Sequence, residues 1–282
     1  MSAVTAASGT TQVHVESAGM GPPLVLLHGW AMHGGLFAPI LPTLAKRHRV
    51  HVVDLPGHGR SPALDSTGAG TLDAIVAAID AALHEIRPES DAPLDVLGWS
   101  LGGAVAMRWA LEQPSRIARL VLVATTPSFI ARENWPHAMR DDTLRKFGDE
   151  LRTAYRLTLN RFLTLQTQGS DDGRTALAAL RHELFARGEP APAGLAQSLA
   201  LLRAIDLRPD AAAIRAPTLV VTGDRDTLAP REAAAWLANA IPDARLVDIP
   251  GAAHVPFLSH RDAFVAAVTS FLDGAPPPTY AR

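Results

Sequence analysis

The stretch Gly98-Trp99-Ser100-Leu101-Gly102 sets a hydroxyl between two glycines, directly after an apolar run and before a helix-forming one. A serine on so sharp a strand-to-helix turn takes strained backbone angles, tolerates only small neighbours, and presents its Oγ at a helix N-terminus. Such a hydroxyl is a weak nucleophile at neutral pH and needs a base. Of 11 histidines, His254 in IPGAAHVPF is the best placed, in a loop after the last strand-like run. His260 falls at the next helix start and suits a capping or surface role. An imidazole that accepts a proton needs an anion to orient it, and GDRDTLAP supplies Asp226, with Asp224 in reserve. Developing negative charge needs donors as well. The backbone N–H groups of Trp30, after the run LLHG, and of Leu101 are the expected pair. His28 reads as a hydrogen-bonding support for that turn, and DLPGHGRS, residues 54–61, as scaffold packed beside it.

Each residue alone has a plainer reading, since aspartates in turns cap helices and loop histidines are usually solvated. What lifts the set is its placement. Apolar runs of buried-strand type recur at Leu24–Leu27, Val50–Val53, Leu94–Leu97, Leu120–Val123, Thr218–Val221 and Arg245–Ile249, and Ser100, Asp226 and His254 each follow one of them. Helical segments lie between most of these runs. Thr71–Ile86 carries Leu72, Ile75, Val76, Ile79 and Leu83 on one face. The alternation predicts an α/β fold, a mostly parallel, doubly wound sheet. The rhythm breaks from residue 125 to 202, where helical periodicity and charge dominate. The expected organisation is therefore a core in two parts, 1–124 and 203–282, with a helical insertion at 125–202 placed as a lid over the strand ends.

Composition narrows the classes further. The chain has 282 residues, 48% hydrophobic and 19% charged, with a net charge of −2, which does not suit a protein that tracks a nucleic-acid backbone. It has no cysteine, so disulfides, thiolate catalysis and cysteine-bound metals are excluded. No H-E-x-x-H pattern occurs, and HGWAMHGG after the first core strand lacks the dinucleotide fingerprint, so no metal or cofactor is expected. The start MSAVTAASGT has no basic or apolar signal character and the apolar runs are too short to span a bilayer, so a soluble, cytoplasmic protein is expected. The end, GAPPPTYAR, is read as a frayed tail.

Taken together, LLHGW, VVDLPGHGRS, LGWSLGG, GDRDTLAP and AAHVPF make nearly the whole chain resemble the α/β-hydrolase superfamily. Within it, GWSLGG, ENWP and RFLTLQTQG are similar to the pimeloyl-[acyl-carrier protein] methyl ester esterases of the biotin pathway. The resemblance implies a serine carboxylesterase without cofactor, acting on a methyl ester carried by acyl-carrier protein. A generic short-chain esterase or carbon–carbon bond hydrolase, and a non-catalytic ligand-binding module, are the alternatives of the same fold. By resemblance the substrate contacts are Trp30, Ser100, Leu101, His254 and the stretch Phe162, Leu163, Thr164, Leu165 and Gln166. Phe162 and Leu165 would line an apolar channel that Trp30 and Trp99 close, while Leu163 also suits core packing. The acidic carrier would be held by Arg156, Arg161, Arg174 and Arg181, on a segment, 132–187, with ten basic against eight acidic residues. Leu157 and Ala178 stand where the family pattern has basic residues.

Overall fold

The six apolar runs all become strands, and a seventh joins them. In the computed structural model, which describes residues 13–64, 71–87, 92–276, 278 and 280, the strands are β1 (Val15–Ala18), β2 (Pro23–Leu27), β3 (Arg49–Val53), β4 (Leu94–Trp99), β5 (Ile117–Val123), β6 (Thr218–Gly223) and β7 (Ala244–Ile249). The helices are α1 (Leu41–Leu44), α2 (Leu72–Ile86), α3 (Leu101–Glu112), α4 (Asp141–Thr153), α5 (Tyr155–Thr167), α6 (Gly173–Leu184), α7 (Pro192–Ala204), α8 (Arg231–Ala240), α9 (Pro256–Ser259) and α10 (Arg261–Leu272). The sheet order is β1-β3-β2-β4-β5-β6-β7, with β1 antiparallel to β3 and every other pair parallel. Strands buried on both faces are mainly apolar, and the centres of β2, β4 and β6 follow this with Leu24, Val25, Leu26, Leu27, Val96, Leu97, Leu219, Val220 and Val221 all fully buried, while the buried Asp95 of β4 is paired with Arg119. Sequence reasoning does not find β1, whose residues Val-Glu-Ser-Ala form a half-exposed edge with no apolar run.

The helix expected at Thr71–Ile86 forms with its expected face inward: Leu72, Ile75, Val76, Ile79 and Leu83 are the buried residues of α2. Thr71 is its N-cap, its hydroxyl accepting from the Ala74 N–H at 3.2 Å. Between β5 and β6 the described chain forms no strand, only isolated bridges between loops, and contains the helices α4 to α7. In α4, Leu144, Phe147 and Leu151 recur at helical spacing on the inward side, while Asp141 and Asp142 occupy the first turn, where the helix dipole favours anions.

The chain leaves β2 towards β3 on one side and returns to place β4 on the other. The strand order thus reverses between β2 and β4, and there an open α/β sheet offers a crevice. The described part of the C-terminal stretch is not frayed. Tyr280 packs against the core with its hydroxyl on the Ala263 carbonyl, an aromatic anchor that the Pro-rich composition masked. The start MSAVTAASGT lies outside the described residues. No helix among the described residues is long and apolar enough to cross a membrane.

Candidate active site

Ser100 stands at the end of β4 with φ 54° and ψ −116°, a backbone region a non-glycine residue enters only under constraint. The constraint is visible. Its N–H donates to the Val123 carbonyl at 2.9 Å, and its carbonyl accepts from the Gly103 N–H at 2.9 Å and the Thr125 hydroxyl at 2.7 Å. The glycines clear the space for this turn: a Cβ at Gly98 would lie 2.3 Å from the Gly102 carbonyl oxygen, and one at Gly102 would lie 2.3 Å from that of Leu27.

The loops after β6 and β7 bring the partners. His254 Nε2 is 3.0 Å from Ser100 Oγ, and its Nδ1 is 2.8 Å from Asp226 Oδ2. Asp226 Oδ1 accepts from the Leu228 and Ala229 amides at 2.9 and 3.0 Å, which fixes the carboxylate plane. A carboxylate can only accept, so the His254 proton sits on Nδ1 and Nε2 is free to accept from the serine hydroxyl. Asp224, the reserve, is turned elsewhere: its Oδ1 accepts from the Gly251 N–H at 2.8 Å and braces the loop that bears His254. The three side chains are secluded, with Ser100 8%, Asp226 6% and His254 2% exposed.

On the other side of Ser100 runs the loop after β2. A Cβ on Gly29 would come within 3.2 Å of Ser100 Cβ, so the Gly29-Trp30 backbone lies directly against the hydroxyl-bearing residue. Leu101 opens α3, and a first-turn N–H has no acceptor within its own helix. His28 shapes the loop from below. Its Nδ1 donates to the Gly29 carbonyl at 2.7 Å and its Nε2 accepts from the Leu55 N–H at 2.9 Å, an arrangement open only to the neutral ring. Burial, helped by neighbouring His58, pushes the His28 imidazole down to about 3. Among the described residues no cluster of His, Asp or Glu is set to hold a metal ion.

Helical geometry divides the stretch Phe162–Gln166. Phe162 meets the Trp30 indole edge-to-face at 5.0 Å, and both rings touch Phe147. The main-chain carbonyl of Gln166, itself fully buried, accepts from the His254 N–H at 3.1 Å. Leu163 is fully buried in the core, whereas Thr164 and Leu165 are exposed, Leu165 at 40%. Leu165 stands one turn on from Phe162, but its exposure and its place outside the core cluster set it apart from the Phe162–Trp30 contact. Trp99 is buried under His254, its Nε1 donating to the His254 carbonyl at 2.8 Å. Sequence reasoning missed that tether and the Gln166 carbonyl, neither of which leaves a pattern along the chain. Of the basic residues, Arg156 pairs with Glu189 at 2.9 Å and Arg161 with Glu150 at 3.2 Å, while Arg174 and Arg181 are exposed on α6. Leu157 is 54% exposed on the same outward face of α5 as Arg161 and Leu165.

A family model described as alpha/beta hydrolase fold matches residues 22–261. The chain belongs to the α/β-hydrolase family. Among curated relatives, the pimeloyl-[acyl-carrier protein] methyl ester esterase of Chromobacterium violaceum is 43% identical over 259 residues, 92% of this chain and 97% of the relative. The protein of the same name from Nitrosomonas europaea is 43% identical over 256 residues, covering 90% and 97%. Among solved structures, an esterase from Exiguobacterium antarcticum superposes with a TM-score of 0.81 over 93% of this chain and 95% of the other, at 24% identity. That likeness speaks for the fold alone.

Proposed function

We propose that this α/β hydrolase is a serine carboxylesterase that cleaves the methyl ester of pimeloyl-[acyl-carrier protein] in biotin synthesis, working in the cytoplasm. The reading is carried by the 3.0 Å approach of His254 Nε2 to Ser100 Oγ, both side chains being buried. It is supported by relatives of that name that match more than nine-tenths of the chain. Ser100 Oγ attacks the ester carbonyl as its proton passes to His254 Nε2, and Asp226 holds the imidazolium in place. The charge on the former carbonyl oxygen falls to the Trp30 and Leu101 amides. One such donor is worth about 100- to 1,000-fold in rate. The tetrahedral adduct collapses and methoxide leaves with the proton from His254, as methanol. Water, deprotonated by the same imidazole, then splits the acyl-enzyme to the free carboxylate and returns the Ser100 hydroxyl.

In this reading residues 125–202 serve as a lid on a core formed by 1–124 and 203–282. Phe162 and Trp30 give the acyl chain an apolar wall, Gln166 and His254 close its inner end, and Leu163 supports it from the core. Thr164 and Leu165 lie outside that wall and meet the substrate only where its carrier approaches. The exposed arginines Arg156, Arg161, Arg174 and Arg181 face an acidic carrier protein, with Leu157 and Ala178 making that surface less basic than the family pattern. The deciding experiment supplies purified protein with pimeloyl-[acyl-carrier protein] methyl ester and with a short soluble methyl ester, and follows methanol release. Turnover of the carrier-bound ester that Ser100→Ala abolishes is expected. Equal kcat/KM for the two esters would favour a generic esterase, and full turnover by Ser100→Ala would overturn the mechanism. Rescue of a biotin-requiring strain that lacks its own methyl esterase tests the pathway.

A further inference from the structure

Asp54 belongs to the stretch DLPGHGRS, which the catalytic scheme leaves unused, yet it is the most heavily bonded carboxylate beside the site. It is fully buried after β3, and it accepts from the Gly34 N–H at 2.7 Å and the Arg60 N–H at 2.8 Å. Arg187 Nη1 reaches both carboxylate oxygens, at 2.9 and 2.8 Å. Arg187 lies beyond α6 in the helical segment, its side chain only 10% exposed, and its Nη2 continues to Glu16 on β1 at 2.8 Å. One guanidinium thus joins the helical segment to the sheet edge and, through Asp54, to Gly34.

Gly34 closes the loop Gly29–His33 that carries the Trp30 amide, and opens a single 3-10 turn, Gly34–Phe37. His33 caps that turn, its Nδ1 accepting from the Gly35 N–H at 3.1 Å, so its Nε2 is the donor to the Glu183 carbonyl at 2.7 Å. Inside the loop Ala31 is held at φ 63°, a left-handed conformation that costs a non-glycine residue free energy and persists only where its surroundings impose it. The Trp30 indole is pinned as well, Nε1 donating to the Leu195 carbonyl of α7 at 3.0 Å. His28 fixes the near end of this strained loop, and groups from the helical segment fix its far end.

We propose that Arg187 and Asp54 are positioning residues for the Trp30 oxyanion donor: the helical segment, through this buried pair and the Gly34 amide, holds the Gly29–His33 loop in its strained, donor-forward conformation. The inference rests on the reading of Ser100 as nucleophile and of the Trp30 amide as oxyanion donor. A donor shifted by a fraction of an ångström loses part of its 100- to 1,000-fold worth, so loosening the pair lowers kcat by about 10- to 100-fold. Ground-state binding of a small ester, which does not use the donor, is unaffected.

The test compares wild type, Arg187→Met, Arg187→Lys and Ser100→Ala on p-nitrophenyl acetate, which needs no carrier protein. It also measures inhibition by a trifluoromethyl ketone, whose hemiketal adduct bears the oxyanion, and the Tm of each variant. Arg187→Met is expected to lower kcat about 10- to 100-fold with KM within about twofold, and to weaken the ketone by the same factor as kcat/KM. Arg187→Lys, which keeps a donor for Asp54, is expected to restore kcat to within about threefold of wild type with a matching small loss of ketone affinity. A lower Tm with unchanged kcat and ketone affinity would make the pair a brace of the fold only, and a rise in KM alone would place Arg187 in binding; either result overturns the proposal. Should Arg187→Met not fold, Arg187→Lys decides by whether its kcat and ketone affinity fall together. If Ser100→Ala abolishes turnover while both Arg187 variants keep full kcat, the positioning role fails and the esterase reading stands. If Ser100→Ala retains turnover, that reading itself has failed.

Discussion

Replacing Asp226 by Asn tests the catalytic geometry with a change of one atom. Asp226 Oδ1 accepts from the Leu228 and Ala229 amides, so the carbonyl oxygen of an asparagine must take that place. The reverse orientation would set an NH₂ group against two backbone N–H groups, leaving buried donors unsatisfied at about 1–3 kcal/mol each. The amide nitrogen therefore lands where Oδ2 was, 2.8 Å from His254 Nδ1. Two donors cannot share that contact, so the ring moves its proton to Nε2, the atom 3.0 Å from Ser100 Oγ. It then offers a hydrogen where the reaction needs a lone pair. In another Ser-His-Asp site the same change lowers kcat about 10⁴-fold, which corresponds to about 5.4 kcal/mol in the barrier. Purified Asp226→Asn should therefore hydrolyse p-nitrophenyl acetate about 10⁴-fold more slowly, with an unchanged circular dichroism spectrum. Asp224→Asn is the control: its carbonyl still accepts from the Gly251 N–H, and kcat should stay within about threefold. An Asp226→Asn enzyme within tenfold of wild type, or an equally damaging Asp224→Asn, would refute the reasoning.

Gly102→Ala drives a Cβ to within 2.3 Å of the Leu27 carbonyl oxygen, and should cost more than about 2 kcal/mol of stability, read as a lower urea midpoint, along with most of kcat. Reversing Arg161, Arg174 and Arg181 to Glu should raise KM for the carrier-bound methyl ester at least about tenfold at low salt, with the difference shrinking as ionic strength rises; a KM insensitive to the triple change would remove the carrier from this face. Burial holds His28 down to about 3 and His58 to about 4, against an ordinary 6.5. Above pH 6.5 both rings are neutral folded or unfolded, but below it only the unfolded chain takes up these protons. Stability should thus be full above pH 6.5 and fall towards pH 5, by up to about 1.4 kcal/mol per pH unit for each ring; a flat urea midpoint between pH 6.5 and 5 would contradict this.

The parts of the molecule legible along the chain are those where burial imposes a residue pattern. Strands covered on both faces are mainly apolar, so β2 to β6 announce themselves, and the half-exposed edge strand β7 still carries Leu246, Val247 and Ile249, whereas β1, with Glu16 and Ser17 on an exposed edge, does not. Ser100, Asp226 and His254 could be picked out because each directly follows such a strand, and because glycines must surround so tight a turn. Along the chain Asp226 is preferred with Asp224 in reserve, and in the structure their side chains diverge, Asp226 towards His254 and Asp224 towards the Gly251 N–H. The rest was hidden because it depends on contacts between distant residues. Asp54 and Arg187 lie 133 positions apart, and the bond from His254 to Gln166 involves main-chain atoms common to every residue. The run Phe162–Gln166 reads as one unit along the chain, and the helix turns Leu163 and Leu165 to opposite environments.

The Gln166 carbonyl that holds the His254 backbone has a bearing on how such enzymes can be recombined. A helical segment grafted from a relative would bring a new surface for its substrate, but it would also replace the peg against which His254, the proposed general base, is seated. Exchanges that keep this carbonyl in register should yield working hybrids. Those that shift α5 by a single residue should yield folded proteins with an idle serine.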